Sequence, residues 1–98
     1  MTCIVNLQIP VKKEAKAQFF ADFATLVVAT RSRPDCIWLY LADNEDTGHV
    51  EAVSMWTSKA AYEEYLAWRM SYGALDALAD VLDGEPIFRY LEVRHAMP

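Results

Sequence analysis

The sequence predicts an α+β domain of the ferredoxin-like type, in which strands and helices follow one another as β-α-β-β-α-β and form an antiparallel sheet. Four segments have the length of strands and two longer segments repeat apolar residues at helical spacing. A polar, glycine-containing turn joins the two central strands directly, as in a hairpin. The chain has 98 residues, so we expect a single domain, residues 1–98, around one core.

The first predicted strand and helix occupy the first third of the chain. Residues Thr2–Ile9 alternate between two faces, and Pro10 ends the strand because proline has no N–H for the ladder. Lys13–Arg31 has the spacing of an amphipathic helix, which is expected to end before Pro34 because the residue preceding a proline avoids the helical region. The residues that show this spacing are Phe19, Phe20, Phe23, Leu26, Val27 and Thr30.

The middle of the chain predicts a hairpin. Cys36–Ala42 and Val50–Thr57 have strand lengths, and the polar segment between them contains Gly48. Strict alternation along the first of these strands places Cys36 and Trp38 on the same face.

A second helix and a last strand complete the chain. Ser58 stands where a helix N-cap belongs, so Lys59–Ser71 is predicted to be helical until Gly73 interrupts it. Ala74–Leu82 predicts a further helical piece, and Ile87–Arg94 predicts the last strand.

Both faces of the predicted sheet are apolar. A sheet with helices on one face and water on the other alternates between apolar and polar residues. The last strand does not, because Phe88 and Tyr90 on one face oppose Ile87 and Leu91 on the other. A second copy of the same sheet is the simplest cover for the extra apolar face. We therefore predict a homodimer whose sheets pack face to face.

Composition and charge exclude several classes of partner. The net charge is −5 and no block of basic residues occurs, so binding to nucleic acid or to an anionic membrane is not expected. No apolar run approaches the roughly 20 residues that span a bilayer. Cys3 and Cys36 form neither a disulfide framework nor a metal motif, which predicts buried free thiols in the cytoplasm. His49 and His95 are not spaced as metal ligands, and the motifs of flavin and nicotinamide enzymes are absent, so neither a metal nor a cofactor is expected.

Several short motifs, in order, resemble one known family. The stretch WTSKAAYEEYL, from Trp56 to Leu66, resembles the strand-to-helix junction of antibiotic biosynthesis monooxygenase (ABM) domains, where a tryptophan closes the third strand before a small polar cap, an alanine and an aromatic. ATRSRPDCIWLYL and Gly84-Glu85-Pro86 resemble the family's first-helix end with its second strand, and the turn before its last strand. The resemblance implies a dimeric α+β barrel with a pocket between sheet and helices in each subunit.

The resemblance also implies a reaction. Cofactor-free members oxidise an electron-rich phenol or anthrone with O₂, and the substrate itself supplies the electrons. Trp56 and Tyr62 match a tryptophan and a tyrosine of the members that oxidise aromatic polyketide intermediates, whereas Ala52 stands where those members have an asparagine. A cofactor-independent monooxygenase of a small quinol- or anthrone-like aromatic is therefore implied.

Two other functions stay open. Relatives with this fold include small-molecule-binding dimers and isomerases, and fold alone does not fix function. Haem-degrading relatives use an asparagine on the first strand, matched by Asn6, together with an axial histidine in the second helical region. Residues 59–94 contain no histidine, which disfavours the haem alternative.

Three residues are candidates for catalysis: Asn6, Tyr62 and Arg69. A buried amide needs a partner, so Asn6 bonds either to a neighbouring strand or to a substrate oxygen. Tyr62 is a hydroxyl donor on the helix face that meets Trp56. A guanidinium on an apolar helix stripe requires a counter-charge, a carbonyl or an anionic ligand, unless Arg69 reaches solvent.

Four more residues are candidates for substrate contact: Trp56, Tyr65, Trp38 and Arg89. The indole of Trp56 closes its strand, and Tyr65 lies beside Tyr62 on the helical wheel, so both are expected at one gap. Arg89 is a charge between apolar neighbours and predicts either a salt bridge or a ligand contact. No general base emerges, since a tyrosine with a pKa near 10 is a poor base at neutral pH.

Overall fold

Four strands form one antiparallel sheet, in the spatial order β2-β3-β1-β4. A computed structural model of the chain describes residues 2–96, and of Ala74 and Leu75 it describes the backbone alone. The strands are β1 Cys3–Ile9, β2 Cys36–Asp43, β3 Val50–Trp56 and β4 Ile87–Glu92. The helices are α1 Lys16–Arg31, α2 Lys59–Ser71 and α3 Ala74–Leu78, and a short 3₁₀ turn, Lys13–Ala15, leads into α1. The predicted ferredoxin-like α+β fold is confirmed.

The second helix begins and ends at the residues that the sequence indicated. Ser58 is extended, and its Oγ accepts a hydrogen bond of 3.1 Å from the Ala61 N–H, which satisfies one free donor of the first turn of α2. Gly73 has φ of +74°, a left-handed conformation that glycine adopts without steric cost. It separates α2 from α3 and donates its N–H to the Met70 carbonyl at 3.0 Å.

The predicted helix Ala74–Leu82 is too long. Its helical part ends at Leu78, and Leu82 instead forms an antiparallel bridge with Val11. The Asp83 N–H then donates to the Pro10 carbonyl at 2.7 Å. The segment after α3 therefore pairs with the chain that leaves β1, and this long-range pairing overrides the local helical pattern.

A β-bulge in β2 changes which side chains face the helices. Cys36 pairs with Trp56 and Trp38 pairs with Met55, so Ile37 is an extra residue on the β2 side. Cys36 is buried in the core, while Trp38 points to the opposite face with Met55. The prediction that Cys36 and Trp38 share a face is wrong, because the bulge reverses the alternation between them.

The core lies between the sheet and the helices. Two adjoining clusters of buried side chains form it. The first contains Cys3, Val5, Cys36, Trp56 and Tyr62, and the second contains Ile9, Val11, Phe19 and Val50. Both cysteines are buried free thiols, as predicted. Trp56 is only 1% exposed, and burying an aromatic side chain of this kind contributes about 2–3 kcal/mol.

The other side of the sheet, which we call the open sheet face, carries the alternate residues of the strands. Its side chains are Ile4, Asn6, Gln8, Trp38, Tyr40, Glu51, Val53, Met55, Ile87, Arg89 and Leu91. Tyr40 is 68% exposed and Leu91 is 54% exposed. The open sheet face is thus the second apolar face that the sequence predicted. Across residues 2–96, the helices are all too short or too polar to span a membrane.

Candidate active site

A small cavity, the sheet–helix cavity, lies between the sheet and helices α1 and α2. Its wall consists of Val5, Leu7, Phe23, Thr30, Leu39, Ala52, Ser54, Trp56, Tyr62 and Tyr65. The described wall contains no charged side chain, and its polar groups are a few hydroxyls in an otherwise apolar lining. Such a lining is typical of a small-molecule site. Its volume is about 40 Å³, whereas ligand pockets usually measure roughly 300–1,000 Å³. A ring-sized ligand therefore requires the wall to move.

Three aromatic rings meet at the end of β3. The Trp56 ring lies 5.3 Å from the Tyr62 ring, edge to face, and 4.9 Å from the Tyr65 ring. The Trp56 Nε1–H donates to the Ser54 Oγ at 2.9 Å, which satisfies the buried indole donor. Because Ser58 starts α2 directly after β3, the first two turns of α2 lie over Trp56. This local geometry brings the rings together as the sequence predicted.

The Tyr62 hydroxyl is held in its neutral form. Tyr62 is 4% exposed, and its hydroxyl forms no hydrogen bond with another atom of residues 2–96. Burial raises the pKa of the Tyr62 phenol far above its usual value, and the neighbouring Tyr90 and Tyr65 add to the effect. Tyr62 can therefore donate a hydrogen bond to a ligand but cannot act as a base near neutral pH.

Two hydroxyls and one guanidinium form a network at the wall of the cavity. The Thr30 Oγ1 and the Tyr65 Oη lie 2.6 Å apart. Arg69 donates from Nε to the Tyr65 Oη at 2.9 Å and from Nη2 to the Thr30 Oγ1 at 3.0 Å. One of the two hydroxyl hydrogens lies between the oxygens, so the other is available to a ligand. Donation from a cation makes that remaining O–H a stronger donor.

Arg69 joins the two helices. Besides the network, its Nη2 donates to the Leu26 carbonyl of α1 at 2.7 Å. The sequence left a counter-charge, a carbonyl, an anionic ligand or solvent as alternatives for this side chain. The structure gives it a carbonyl and two hydroxyls, and it places no carboxylate of residues 2–96 in a salt bridge with it.

The seven predicted site residues divide between the two faces of the sheet. Four of them meet at or directly behind the sheet–helix cavity: Trp56, Tyr62, Tyr65 and Arg69. Three lie on the open sheet face: Asn6, Trp38 and Arg89. Strand alternation places Asn6 and Arg89 on that face, and the bulge at Ile37 places Trp38 there.

Asn6 has a partner on the neighbouring strand. Its Nδ2 donates to the Glu51 Oε1 at 3.1 Å, and the Asn44 Nδ2 donates to the Glu51 Oε2 at 2.7 Å. These hydrogen bonds, that from Asn44 first, lower the pKa of the Glu51 carboxyl. The Asn6 Oδ1 is buried without a hydrogen-bond partner among residues 2–96. Arg89 is exposed and stands opposite Asn6 in the pairing of β1 with β4.

Two polar residues of the cavity were not predicted as site residues. Thr30 is one of the residues that show the helical spacing of α1, and a hydroxyl among these apolar residues is the signal that marks it. Ser54 lies between Ala52 and Trp56 on the buried face of β3, and its signal is likewise a polar residue at a core position.

The cavity wall provides hydrogen-bond donors but no strong base. None of its lining residues is an aspartate, a glutamate or a histidine. Within residues 2–96, no three or more histidine, cysteine, aspartate or glutamate side chains come together as a metal site would require. The arrangement is suited to holding a planar, apolar ligand and donating hydrogen bonds to its oxygen atoms.

Solved structures share the fold at low sequence identity. A conserved protein from Methanosarcina mazei Go1 superposes with a TM-score of 0.83 at 15% identity, over 96% of this chain and 94% of its own. The monooxygenase ActVA-Orf6 of Streptomyces coelicolor, in complex with nanaomycin D, superposes with a TM-score of 0.75 at 23% identity, over 98% of this chain and 90% of its own. SnoaB, a cofactor-independent oxygenase from Streptomyces nogalater, superposes with a TM-score of 0.74 at 21% identity, over 99% of this chain and 96% of its own.

The sequence itself matches a family. No curated protein matches the chain. The sequence model of the antibiotic biosynthesis monooxygenase family, however, matches residues 2–70, well over half of the chain. This stretch contains the whole described wall of the sheet–helix cavity and also Arg69. The chain therefore belongs to the antibiotic biosynthesis monooxygenase family.

Proposed function

We propose that this family member is a cofactor-independent monooxygenase that oxidises a small electron-rich aromatic, a quinol or an anthrone, with O₂. The observation that carries the proposal is the convergence of three aromatic rings and the Thr30–Tyr65–Arg69 network on one uncharged cavity. The fold shared with SnoaB, a cofactor-independent oxygenase, and with the nanaomycin D complex of ActVA-Orf6 supports it.

The proposed reaction uses electrons from the substrate. The substrate loses a proton, and its anion transfers an electron to O₂. One oxygen atom enters the substrate, and the other leaves as water with the two hydrogens that the substrate gives up. The protein then has to hold the ring, exclude water and stabilise the oxyanion. Trp56 holds the ring, while Tyr62 and the free hydroxyl of the Thr30–Tyr65 pair donate to the oxyanion.

The absence of a base in the described wall is consistent with this chemistry. Arg69 lies one hydrogen bond behind the cavity, and a nearby cation lowers the pKa of a bound phenol or anthrone. A substrate made acidic in this way loses its proton to water while the cavity is still open, so no strong protein base is needed. We expect the rate to rise with pH across the pKa of the bound substrate.

The substrate enters by parting α1 from α2. Phe23 and Thr30 form the α1 side of the cavity, and Tyr65 faces them from α2. The hydroxyl pair and the bonds of Arg69 connect the two helices at this point. A ligand oxygen that replaces one partner in this network preserves the number of hydrogen bonds while the cavity widens.

We also propose a homodimer that covers the open sheet face. Exposed apolar side chains of this face, among them Tyr40, Ile87 and Leu91, gain burial against a second copy. The Asn6 Oδ1 accepts no hydrogen bond from the described part of the chain, and the exposed Arg89 lies on the same face. In an isologous dimer both copies present this patch to each other, so donors and acceptors of the two polar clusters meet.

Oxygen uptake by metal-stripped protein tests the proposed reaction. A panel of anthrones and quinols should include a substrate whose oxidation exceeds the protein-free rate. With that substrate, Tyr65→Phe and Tyr62→Phe are expected to lower kcat by about tenfold or more. Tyr72→Phe, on an exposed side chain just beyond α2, is the control and should retain full activity.

Other outcomes identify the alternative functions. A ligand that raises Tm without any oxygen uptake indicates the binding or isomerase alternative. A Soret shift on haem titration indicates the haem alternative, although the described wall offers an iron only the phenols of Tyr62 and Tyr65. Full activity in both tyrosine variants contradicts the assignment of the site.

A further inference from the structure

We propose that Arg33 and Arg69 form an anion subsite beside the sheet–helix cavity, and that the ligand is an aromatic acid whose carboxylate binds there. The proposal rests on the proposed function only in placing the ring of the ligand in the cavity. It adds that the ligand is a carboxylated aromatic, and it assigns to Arg33 a role in the specificity for that ligand.

Both guanidinium groups lie against the same pair of aromatic rings. The Arg33 Cζ is 4.5 Å from the centre of the Trp68 ring, and the Arg69 Cζ is 5.2 Å from it. The same two atoms lie 5.7 Å and 5.5 Å from the centre of the Tyr65 ring. Stacking restricts long arginine side chains, so both positive charges are held beside this pair of rings before a ligand arrives. Tyr65 connects this cluster to the cavity, because its ring is part of both.

No acidic side chain of residues 2–96 neutralises the cluster. The salt bridges in this part of the chain are Lys16–Asp43 and Arg94–Glu92, and neither Arg33 nor Arg69 takes part in one. The chain has 14 acidic and 9 basic residues, so carboxylates are plentiful elsewhere. Both arginines are also partly buried, where an unpaired charge costs more than at the surface.

The two guanidinium groups keep free hydrogen-bond donors. A guanidinium has five N–H donors. Arg69 forms its three hydrogen bonds through Nε and Nη2, which leaves Nη1 free among the described residues. The Arg33 side chain forms no hydrogen bond within residues 2–96. Free N–H pairs of this kind bind the two oxygens of a carboxylate.

A purely structural role explains less of the arrangement. Cations near helix C-termini interact favourably with the helix dipole, and Arg69 lies in the last turn of α2. Arg31 shows what such a role looks like at the end of α1, since its Nη1 donates to the carbonyls of Cys36 and Ile37 at 3.2 and 3.1 Å. The side chain of Arg33 instead lies over Trp68, and its donors have no partner among residues 2–96.

A matched pair of fluorescent probes tests the subsite. Anthracene carboxylate and the corresponding anthracene methanol share a ring system and differ in charge. We expect the wild-type chain to bind the acid about tenfold more tightly than the alcohol, with a preference that declines as salt is added. Arg33→Gln should remove most of this preference while leaving the affinity for the alcohol unchanged. Arg33→Lys should keep part of it, because the charge remains without the planar fork.

Arg94→Gln is the control for the Arg33 variants. Arg94→Gln removes a charge paired with Glu92 and should leave the preference intact. Equal affinities for acid and alcohol in the wild type, an unchanged preference in a folded Arg33→Gln variant, or no binding of either probe overturns the proposal. Binding is measured without O₂, so a preference for the acid in a protein that never consumes O₂ retains the subsite and rejects the oxygenase.

Discussion

At the scale of single residues, Tyr65 contacts every part of the candidate site. Its ring lies 4.9 Å from that of Trp56, and its hydroxyl bonds to Thr30 and Arg69. The Arg33 guanidinium carbon lies 5.7 Å from the centre of the same ring. Tyr65 therefore belongs to the cavity wall, to the hydrogen-bond network with Thr30 and Arg69, and to the pair of rings beside Arg33 and Arg69. A substitution at Tyr65 alters all three.

Thr30 offers a cleaner test of the network, because valine has nearly the shape of threonine without the hydroxyl. Thr30→Val leaves an N–H of Arg69 and the Tyr65 hydroxyl without this partner, so we expect a loss of about 1–2 kcal/mol in the free energy of unfolding. Urea denaturation measures the loss. Thr25→Val, on an exposed position of the same helix, should cost less than about 0.5 kcal/mol. Equal losses in both variants contradict the role of the network.

Tyr62 predicts a specific loss of stability at alkaline pH. An unfolded tyrosine ionises near pH 10, whereas burial raises the pKa of the folded Tyr62 phenol above that value. The unfolded chain therefore releases this proton first, and stability falls as pH rises above about 10. Tyr62→Phe should flatten this decline relative to Tyr72→Phe, in urea titrations at several pH values. Parallel declines in the two variants contradict the assignment.

Among the helices and strands, the sequence predicted the features that depend on adjacent residues but missed those that depend on pairing with distant residues. Ser58 and Gly73 marked the bounds of α2 because capping and left-handed geometry depend on a few adjacent residues. The bulge at Ile37 depends on the register with β3, and the bridge of Leu82 depends on Val11. Neither partner is close in sequence, so alternation and helical spacing could not reveal these pairings.

The same distinction divides the candidate site. Trp56, Tyr62 and Tyr65 could be predicted to meet, because one short junction carries all three. The hydrogen bond between Thr30 and Tyr65 could not, because it joins positions 35 residues apart and depends on how α1 packs on α2. The sequence predicted a partner for Asn6 but could not identify it, because Glu51 lies 45 residues away along the chain.

The start of α2 should be sensitive to its cap. Ser58→Ala removes the acceptor of the Ala61 N–H, so we expect a loss of about 1 kcal/mol in stability, measured by thermal unfolding. Because α2 carries Tyr62 and Tyr65, the Ser58→Ala variant should lose activity at temperatures near its Tm. It should keep full activity at temperatures well below Tm. Ser71→Ala at the other end of α2 is the control. A cost at Ser58 no larger than that at Ser71 contradicts the capping role.

At the scale of the whole molecule, the two faces of the sheet have different roles. One face encloses the cavity, and the other carries exposed apolar side chains around a polar cluster. Hydrogen bonds from Asn44 and Asn6 lower the pKa of the Glu51 carboxyl, which lies on the same face as the cation of Arg89. A second copy of the chain offers the complementary charges, as the proposed dimer requires.

One substitution on this face should separate the subunits. Val53 lies in the middle of β3 and points to the open sheet face, so Val53→Lys places a charge in the proposed interface of both copies. We expect sedimentation to show a dimer for the wild type and a monomer for Val53→Lys at the same micromolar concentration. Val28→Lys, on the exposed side of α1, should remain dimeric. A wild-type chain that sediments as a monomer contradicts the proposed dimer.

Oxygen uptake with dithranol, a dihydroxyanthrone, tests the claim that the sheet–helix cavity is the site where an aromatic substrate is oxidised without a cofactor. Metal-stripped wild-type protein should consume one O₂ for each dithranol above the protein-free rate and transfer one atom of labelled oxygen to the product. Tyr65→Phe should lower that rate by about tenfold or more while the chain remains folded. Uptake by the wild type that equals the protein-free rate, or undiminished uptake by the folded Tyr65→Phe variant, contradicts the claim.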